Sequence, residues 1–431
     1  MKKILLSNLP CCIEVVAMLV SLAENELYRR SEVVSIDFDE DVRQVSAGAV
    51  GNWDTRQFQP IFFCFHIFNR PYNSAMDSEW SSSFERDLHV CFLEMMYQTL
   101  PSAYQEQEIN RLTLAYFVIS GLDILGALDR VDKEGVADWV LSFQAHPRTK
   151  AELDNGQFYG FHGSSTSQFP PDDNGVLIHN GSHLASTYCA IAILKIVGYN
   201  FSRIDSESIL TSMKNLQQPD GSFMPIYTGA EKDLRFVFCA EFSDVSAAIC
   251  YMLKNWSGMD RKKAKEYILN CQSYDGGFGL VPGSESHGGG TYCAVAALRL
   301  MGFIEDDVLS KSTPSSIINV PLLLEWSLQR QAADGGFQGR PNKDSDTCYA
   351  FWVGGVLRIL GGHNFLNKEA LRGFLLTCQS QVYGGFSKFP GQLPDLYHSY
   401  YGFSAFSLLE EPGLKPMCVE LGIIDIAAIG I

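Results

Sequence analysis

The chain has 431 residues, 46% of them hydrophobic, so it can bury a large core in one big domain or two to three ordinary ones and is not a disordered polymer. Its 49 acidic and 33 basic side chains leave a formal charge of −16, which argues against a nucleic-acid groove and favours neutral or basic partners. The 12 cysteines include no C-x-x-C pair and no short disulfide framework, a pattern that points to a reduced, cytoplasmic setting.

Residues 1–75 show no sustained periodicity and read as a poorly structured extension. An apolar run from Cys11 to Leu22 raises the question of a secretion signal, but Asn8, Pro10 and Glu14 interrupt it. No stretch reaches the ~18 apolar residues of a membrane span. Residues 76–415 are expected to form one domain, its pattern helical from Phe84 onward, and 416–431 form an apolar tail to which the sequence gives no role.

Repetition carries the signal in the helical part. A glycine turn recurs as Gln157-Phe-Tyr-Gly-Phe161, Asp220-Gly-Ser-Phe223, Asp275-Gly-Gly-Phe278, Asp334-Gly-Gly-Phe337 and Tyr383-Gly-Gly-Phe386. A helical stretch precedes each turn, often ending in Gln (Gln218, Gln272, Gln331, Gln379), and a second helix of small and apolar residues follows after a loop. The unit is helix, glycine turn, loop, helix. Helix pairs of this kind cannot bury their faces singly and must stack. If the stack closes, the second helices form an inner ring, and Tyr188, Phe238, Tyr292, Tyr349, Trp352 and Tyr401 would line an aromatic cavity.

One stretch, Asp334 to Trp352, gathers a glycine turn, Arg340, Lys343, Asp346, Cys348 and Tyr349. Asp346 and Cys348 are two apart, so on a continuous helix they would point roughly 200° away from each other. They converge only at a helix start, and Pro341 upstream with apolar residues downstream puts a start there. A carboxylate and a thiolate make half a zinc site; His398, after a second Gly/Pro-rich loop and before an apolar helix from Phe403 to Leu409, is the candidate third ligand. Taken alone, these residues leave the matter open, because a single Cys is most often core and a single His most often a satisfied one.

From about Phe84 to Leu409 the chain resembles the β subunits of protein prenyltransferases, most of all the type I geranylgeranyl branch. The resemblance implies an all-α fold, an α/α toroid of six helix pairs, paired with a helical α subunit. It implies transfer of a geranylgeranyl group from geranylgeranyl diphosphate to the Cys of C-terminal CaaX proteins, such as small GTPases, with Leu or Phe at X. By family pattern Asp346, Cys348 and His398 match the ligands of one zinc ion, with a fourth position left for the substrate thiol. His287, Arg340, Lys343 and Tyr349 match the diphosphate-binding residues, Tyr349 and Lys388 being the catalytic ones. Lys388 stands where related enzymes have a magnesium-binding aspartate, so magnesium is not expected to be required. Thr113, Phe117, Arg235, Phe238 and Trp352 match the isoprenoid wall, with Thr113 small where the farnesyl enzyme has tryptophan. His183 and Ala185 match the peptide pocket. One departure is a seven-residue insert, 241–247, which either lengthens an inner helix by about two turns or loops out. A farnesyl- or Rab-type β subunit, a terpene cyclase on a similar toroid, and a non-catalytic isoform spoiled by the insert are the alternatives.

Overall fold

The computed structural model describes residues 83–168, 181–229, 233–234, 246–305 and 317–429. The N-terminal extension, Arg235, Phe238 and positions 241–245 of the insert lie outside them. All described residues belong to one unit, Ser74–Ile431.

Apart from two four-residue helices, the described α-helices form six pairs. They are α1 (Arg86–Gln98) with α2 (Arg111–Ile124), α3 (Lys133–Leu141) with α4 (Leu184–Ile196), and α5 (Ser206–Met213) with α6 (Ser246–Met252). Then come α7 (Arg261–Asn270) with α8 (Gly288–Leu300), α9 (Val320–Leu328) with α10 (Thr347–Leu360), and α11 (Lys368–Thr377) with α12 (Leu396–Leu408). The second members pack in order, α2 on α4, α4 on α6, α6 on α8, α8 on α10 and α10 on α12, and α12 packs back on α2. The ring is closed, and the fold is the expected α/α toroid. Composition decides which helices lie inside. In α4 every residue except Lys195 is buried, whereas α7 and α11 bury only one apolar stripe each.

The repeated turn is what joins one pair to the next. Its phenylalanines, Phe161, Phe223, Phe278, Phe337 and Phe386, are all fully buried and bridge backbone-to-backbone with Gln144, Gln217, Gln272, Gln331 and Gln379. In the second unit Gln217, not Gln218, takes this place. The glutamine side chains reach onward. Gln217 exchanges two hydrogen bonds with the backbone of Asp260, which caps α7, and Gln331 does the same with Asn367, which caps α11. Gln379 accepts from Glu85 N and donates to Ser83 O at the start of α1, so the last repeat is tied to the first. Gly335 shows why the turn needs glycine: its φ is 89°, and a Cβ there would collide with the Ala370 carbonyl of α11.

Residues 417–424, in the segment read from sequence as a tail, pack inside the ring. Met417–Cys418 and Ile423–Ile424 form a small antiparallel hairpin, with Leu421, Ile423 and Ile424 buried. Four inner helices each send one tyrosine to its backbone: Tyr116 and Tyr400 donate to Gly422 O, Tyr188 to Leu421 O and Tyr292 to Val419 O. A buried phenol needs an acceptor, and these carbonyls supply it. Tyr188 and Tyr292, expected from sequence to line a cavity, hold this hairpin through their hydroxyls, while the Tyr292 ring packs on Trp352 at 4.9 Å.

Candidate metal centre

Four of the inner helices, α4, α8, α10 and α12, begin with side chains that cap their own N-termini. His183 Nδ1 accepts from Ala185 N at the start of α4, and His287 Nδ1 accepts from Gly289 N at the start of α8. Asp346 Oδ1 accepts from Cys348 N (2.9 Å) in α10, and Asp395 Oδ1 accepts from His398 N (2.8 Å) in α12. Backbone hydrogen bonds link successive helix entrances, Gly288 N to Gly339 O and Thr347 N to Lys388 O, so the entrances share one rim. The turn carboxylates fix the approach: Asp275 accepts from the Ser286 hydroxyl and Asp334 from the Ser345 hydroxyl, each serine standing just before a cap.

On this rim one ligand atom each from Asp346, Cys348 and His398 lies within 4.8 Å of the others, and the three residues are buried or nearly so. As the sequence implied, Asp346 and Cys348 converge because a helix starts between them. The helix carrying His398 begins earlier than expected, at Leu396, because Asp395 caps it; His398 therefore sits in its first turn. Asp395 Oδ2 also holds His398 Nδ1 at 2.6 Å, which turns Nε2 toward Asp346 Oδ1 at 3.4 Å.

The electrostatics of the cluster suit a cation. Burial, then the neighbouring Asp346 charge, pushes the Cys348 thiol well above its usual range. Burial alone would lower His398, but its hydrogen bonds to Asp346 and Asp395 outweigh that and raise it to about 9. Burial would likewise raise Asp346, yet His398 holds it below the ordinary carboxylate value. A carboxylate, a thiol and an imidazole whose far nitrogen is fixed by a carboxylate are a fitting donor set for zinc. Lys388 Nζ stands 3.7 Å from Asp346 Oδ2 and is half-exposed.

Beside this cluster, Tyr349 Oη lies 3.0 Å from His287 Nε2, and its ring lies against Gly339. Arg340 follows Gly339 directly and forms an ion pair with Glu285 at 3.1 Å. The structure thus brings His287, Arg340 and Tyr349 to one place. Lys343 is exposed and lines a separate cleft of about 580 Å³ with Ala370 and Phe374 of α11; no hydrogen bond or ion pair among the described residues joins it to His287 or Tyr349.

A model of the prenyltransferase alpha-alpha toroid domain matches residues 84–423. The geranylgeranyl transferase type-1 subunit beta of Arabidopsis thaliana is 67% identical over 360 residues, covering 84% of this chain and 94% of the relative. This chain belongs to the type-1 geranylgeranyl transferase β-subunit family. A type-1 subunit beta from Dictyostelium discoideum is 34% identical over 77% of this chain and 93% of its own length. The protein farnesyltransferase subunit beta of Schizosaccharomyces pombe is 30% identical over 74% and 77%. Among solved structures, Candida albicans protein geranylgeranyltransferase-I complexed with GGPP superposes with a TM-score of 0.66 at 22% identity, covering 80% of this chain and 97% of that one, a likeness of fold.

In this type-1 β subunit Phe117 and Trp352 are linked to the Asp346–Cys348–His398 cluster by a chain of aromatic rings. Phe117 stacks on Tyr400 at 5.2 Å and meets the edge of Tyr397 at 5.9 Å, and Trp352 packs on Tyr401 at 4.4 Å. Tyr397 joins the two sets, touching Tyr401 and His398. Thr113 lies buried one turn before Phe117, its Oγ1 3.7 Å from Cys189 Sγ of α4. Sequence reasoning gave no role to Asp395, Tyr397 or Glu285. The spacing Asp-x-x-His, a cap three residues before a candidate ligand, could have revealed the first.

No helix among the described residues is long and apolar enough to cross a membrane.

Proposed function

We propose that this chain is the catalytic β subunit of a cytoplasmic, zinc-dependent heterodimer. With an α subunit it would transfer geranylgeranyl from geranylgeranyl diphosphate to the Cys of C-terminal CaaX proteins ending in Leu or Phe. The observation that carries the reading is the convergence of Asp346, Cys348 and His398 beside the His287–Tyr349–Arg340 group on one rim. Asp346, Cys348 and His398 would hold the zinc, which when bound keeps the substrate thiol as its thiolate at neutral pH.

The chain's own residues account for the other half of the reaction. Because His287 Nδ1 accepts from Gly289 N, its ring proton sits on Nε2 and is donated to Tyr349 Oη. Tyr349 then gives its own proton in a hydrogen bond to a phosphate oxygen. Arg340 offers a two-pronged contact, and Lys343, which lines the neighbouring cleft, would have to swing in to add a point charge. As the allylic C–O bond breaks, negative charge grows on the departing diphosphate, and these donors stabilise it where it forms. Lys388, held near Asp346, supplies a fixed positive charge in place of magnesium. Phe117, Trp352 and the small Thr113 bound the isoprenoid, together with Arg235 and Phe238, which lie outside the described residues. His183, kept neutral because burial lowers it to about 4, and Ala185 stand at the entrance of α4, on the side of the peptide's last residue.

Co-expression with an α subunit tests the proposal. One zinc per heterodimer and geranylgeranyl transfer to a C-a-a-Leu peptide without added magnesium are expected. Transfer of farnesyl alone, dependent on magnesium, would remove the type I assignment and leave the family intact.

A further inference from the structure

Arg330 lies just beyond the end of α9 and is 6% exposed, yet its Nη1 has no hydrogen-bond partner among the described residues. Its guanidinium carbon lies 5.1 Å from the centre of the Trp326 ring, and the buried Trp326 Nε1 also lacks a partner there. Two buried donors side by side without an acceptor are costly, and such a pair marks a place where an acceptor arrives. The candidate acceptor is close. A Cβ on Gly277 would lie 2.7 Å from Ser286 Cβ and 2.8 Å from the Trp326 ring, so Ser286 and Trp326 flank the same glycine. Glu285 precedes Ser286, and Glu285 and Asp275 are the carboxylates whose charge acts on Arg330. Asp275 is already engaged by Ser286 and Gly277 N. Glu285 makes its ion pair at the surface instead, with Arg340.

We infer that Glu285 is a counter-ion exchanged between two arginines: it holds Arg340 while the diphosphate site is empty and turns to Arg330 and Trp326 when Arg340 takes a phosphate. This inference rests on the reading of Arg340 as a diphosphate ligand. Glu285 then opposes diphosphate binding, because Arg340 must leave it, and it promotes release of the diphosphate product by reclaiming Arg340. Arg330 is a positioning residue that lowers the cost of the exchange by accepting the displaced carboxylate.

The test is calorimetric binding of inorganic diphosphate to the full chain co-expressed with its α subunit. An exposed ion pair is worth up to about 1 kcal/mol, so Glu285→Gln should tighten diphosphate about fivefold. Arg330→Met should weaken it by a similar factor in the parent and have no effect in the Glu285→Gln background, the non-additivity expected of coupled residues. If Arg330→Met does not fold, Glu285→Gln decides alone, since Glu285 is exposed and its replacement leaves the core untouched. Unchanged affinity in Glu285→Gln, with binding lost in Arg340→Ala, would overturn the exchange while leaving the diphosphate site standing. Unchanged affinity in Arg340→Ala would remove both.

Discussion

Asp346 Oδ1 lies 3.4 Å from His398 Nε2 while the same oxygen accepts the backbone N–H of Cys348. One carboxylate thus starts helix α10, fixes where Cys348 enters it and faces His398 on α12. Structural and metal roles can be separated because asparagine caps a helix as well as aspartate does. Asp346→Asn should keep the melting temperature close to the parent's but lose zinc affinity, whereas Asp346→Ala should lose both zinc and about 1 kcal/mol of stability. Metal analysis beside thermal melting reads the two effects independently. Equal melting temperatures for the two variants would show that the cap contributes nothing.

Cys348→Ala and His398→Ala should abolish zinc content and peptide transfer together. Asp395 acts one step further out, orienting His398 through Nδ1. Removing such an outer partner typically costs 10–100-fold in metal affinity. Asp395→Asn retains the cap and should therefore show this loss with the helix intact; zinc competition against a chelator measures it. Parent-like affinity would mean that packing by Tyr397, not Asp395, orients the imidazole.

The repeat was readable because each element of it answers a local demand: a buried Phe, a glycine that no side chain could replace, a Gln reaching the next helix. Asp346 and Cys348 were readable for a similar reason, since a two-residue separation allows convergence only at a helix start. His398 could be proposed but not joined to them by spacing, because the contact depends on α12 packing against α10. The hairpin at 417–424 was not legible. Its sequence is merely apolar, and its role lies in backbone carbonyls, which every residue has. Tyr116, Tyr188, Tyr292 and Tyr400 come from four different helices, so no periodicity could show that they share one target.

Lys388 Nζ at 3.7 Å from Asp346 Oδ2 places an ammonium beside the triad. If that charge takes the part of a divalent ion toward the diphosphate, Lys388→Asp should slow transfer at least tenfold without magnesium and recover with millimolar magnesium. Steady-state rates across a magnesium series check this. A rate that falls but does not respond to magnesium would leave Lys388 as a partner of Asp346 alone.

His89 is fully buried at the seam between α1 and the last glycine turn, its ring nitrogens held by Gln379 and Gly385 N. Burial lowers its pKa to about 3, against a smaller opposing effect of the Gln379 hydrogen bond. Between pH 6.5 and 3 the unfolded chain binds this proton and the folded one does not, so stability rises with pH across that window. The contribution is about 1.4 kcal/mol per pH unit from this one residue, and it vanishes above pH 6.5. His89→Gln should flatten the slope of unfolding free energy against pH in this range, whatever it does to stability at neutral pH. Parallel slopes for the two proteins would exclude His89 as an acid-sensitive group at the ring seam.

Thr113 and Phe117 lie four residues apart on α2 and so occupy one face, with Thr113 also touching Cys189 of α4. Phe117 leads through Tyr397 to His398, which places Thr113 a further turn along that face. If the isoprenoid runs along this face as proposed, a tryptophan at 113 would take the place of its fourth isoprene unit and leave the first three untouched. Thr113→Trp should therefore lower kcat/KM for geranylgeranyl diphosphate by at least tenfold and leave or improve that for farnesyl diphosphate. Competition between the two diphosphates for one peptide measures the ratio directly. An unchanged ratio in a folded, zinc-loaded variant would mean that the isoprenoid ends against residues other than those of the α2–α4 contact.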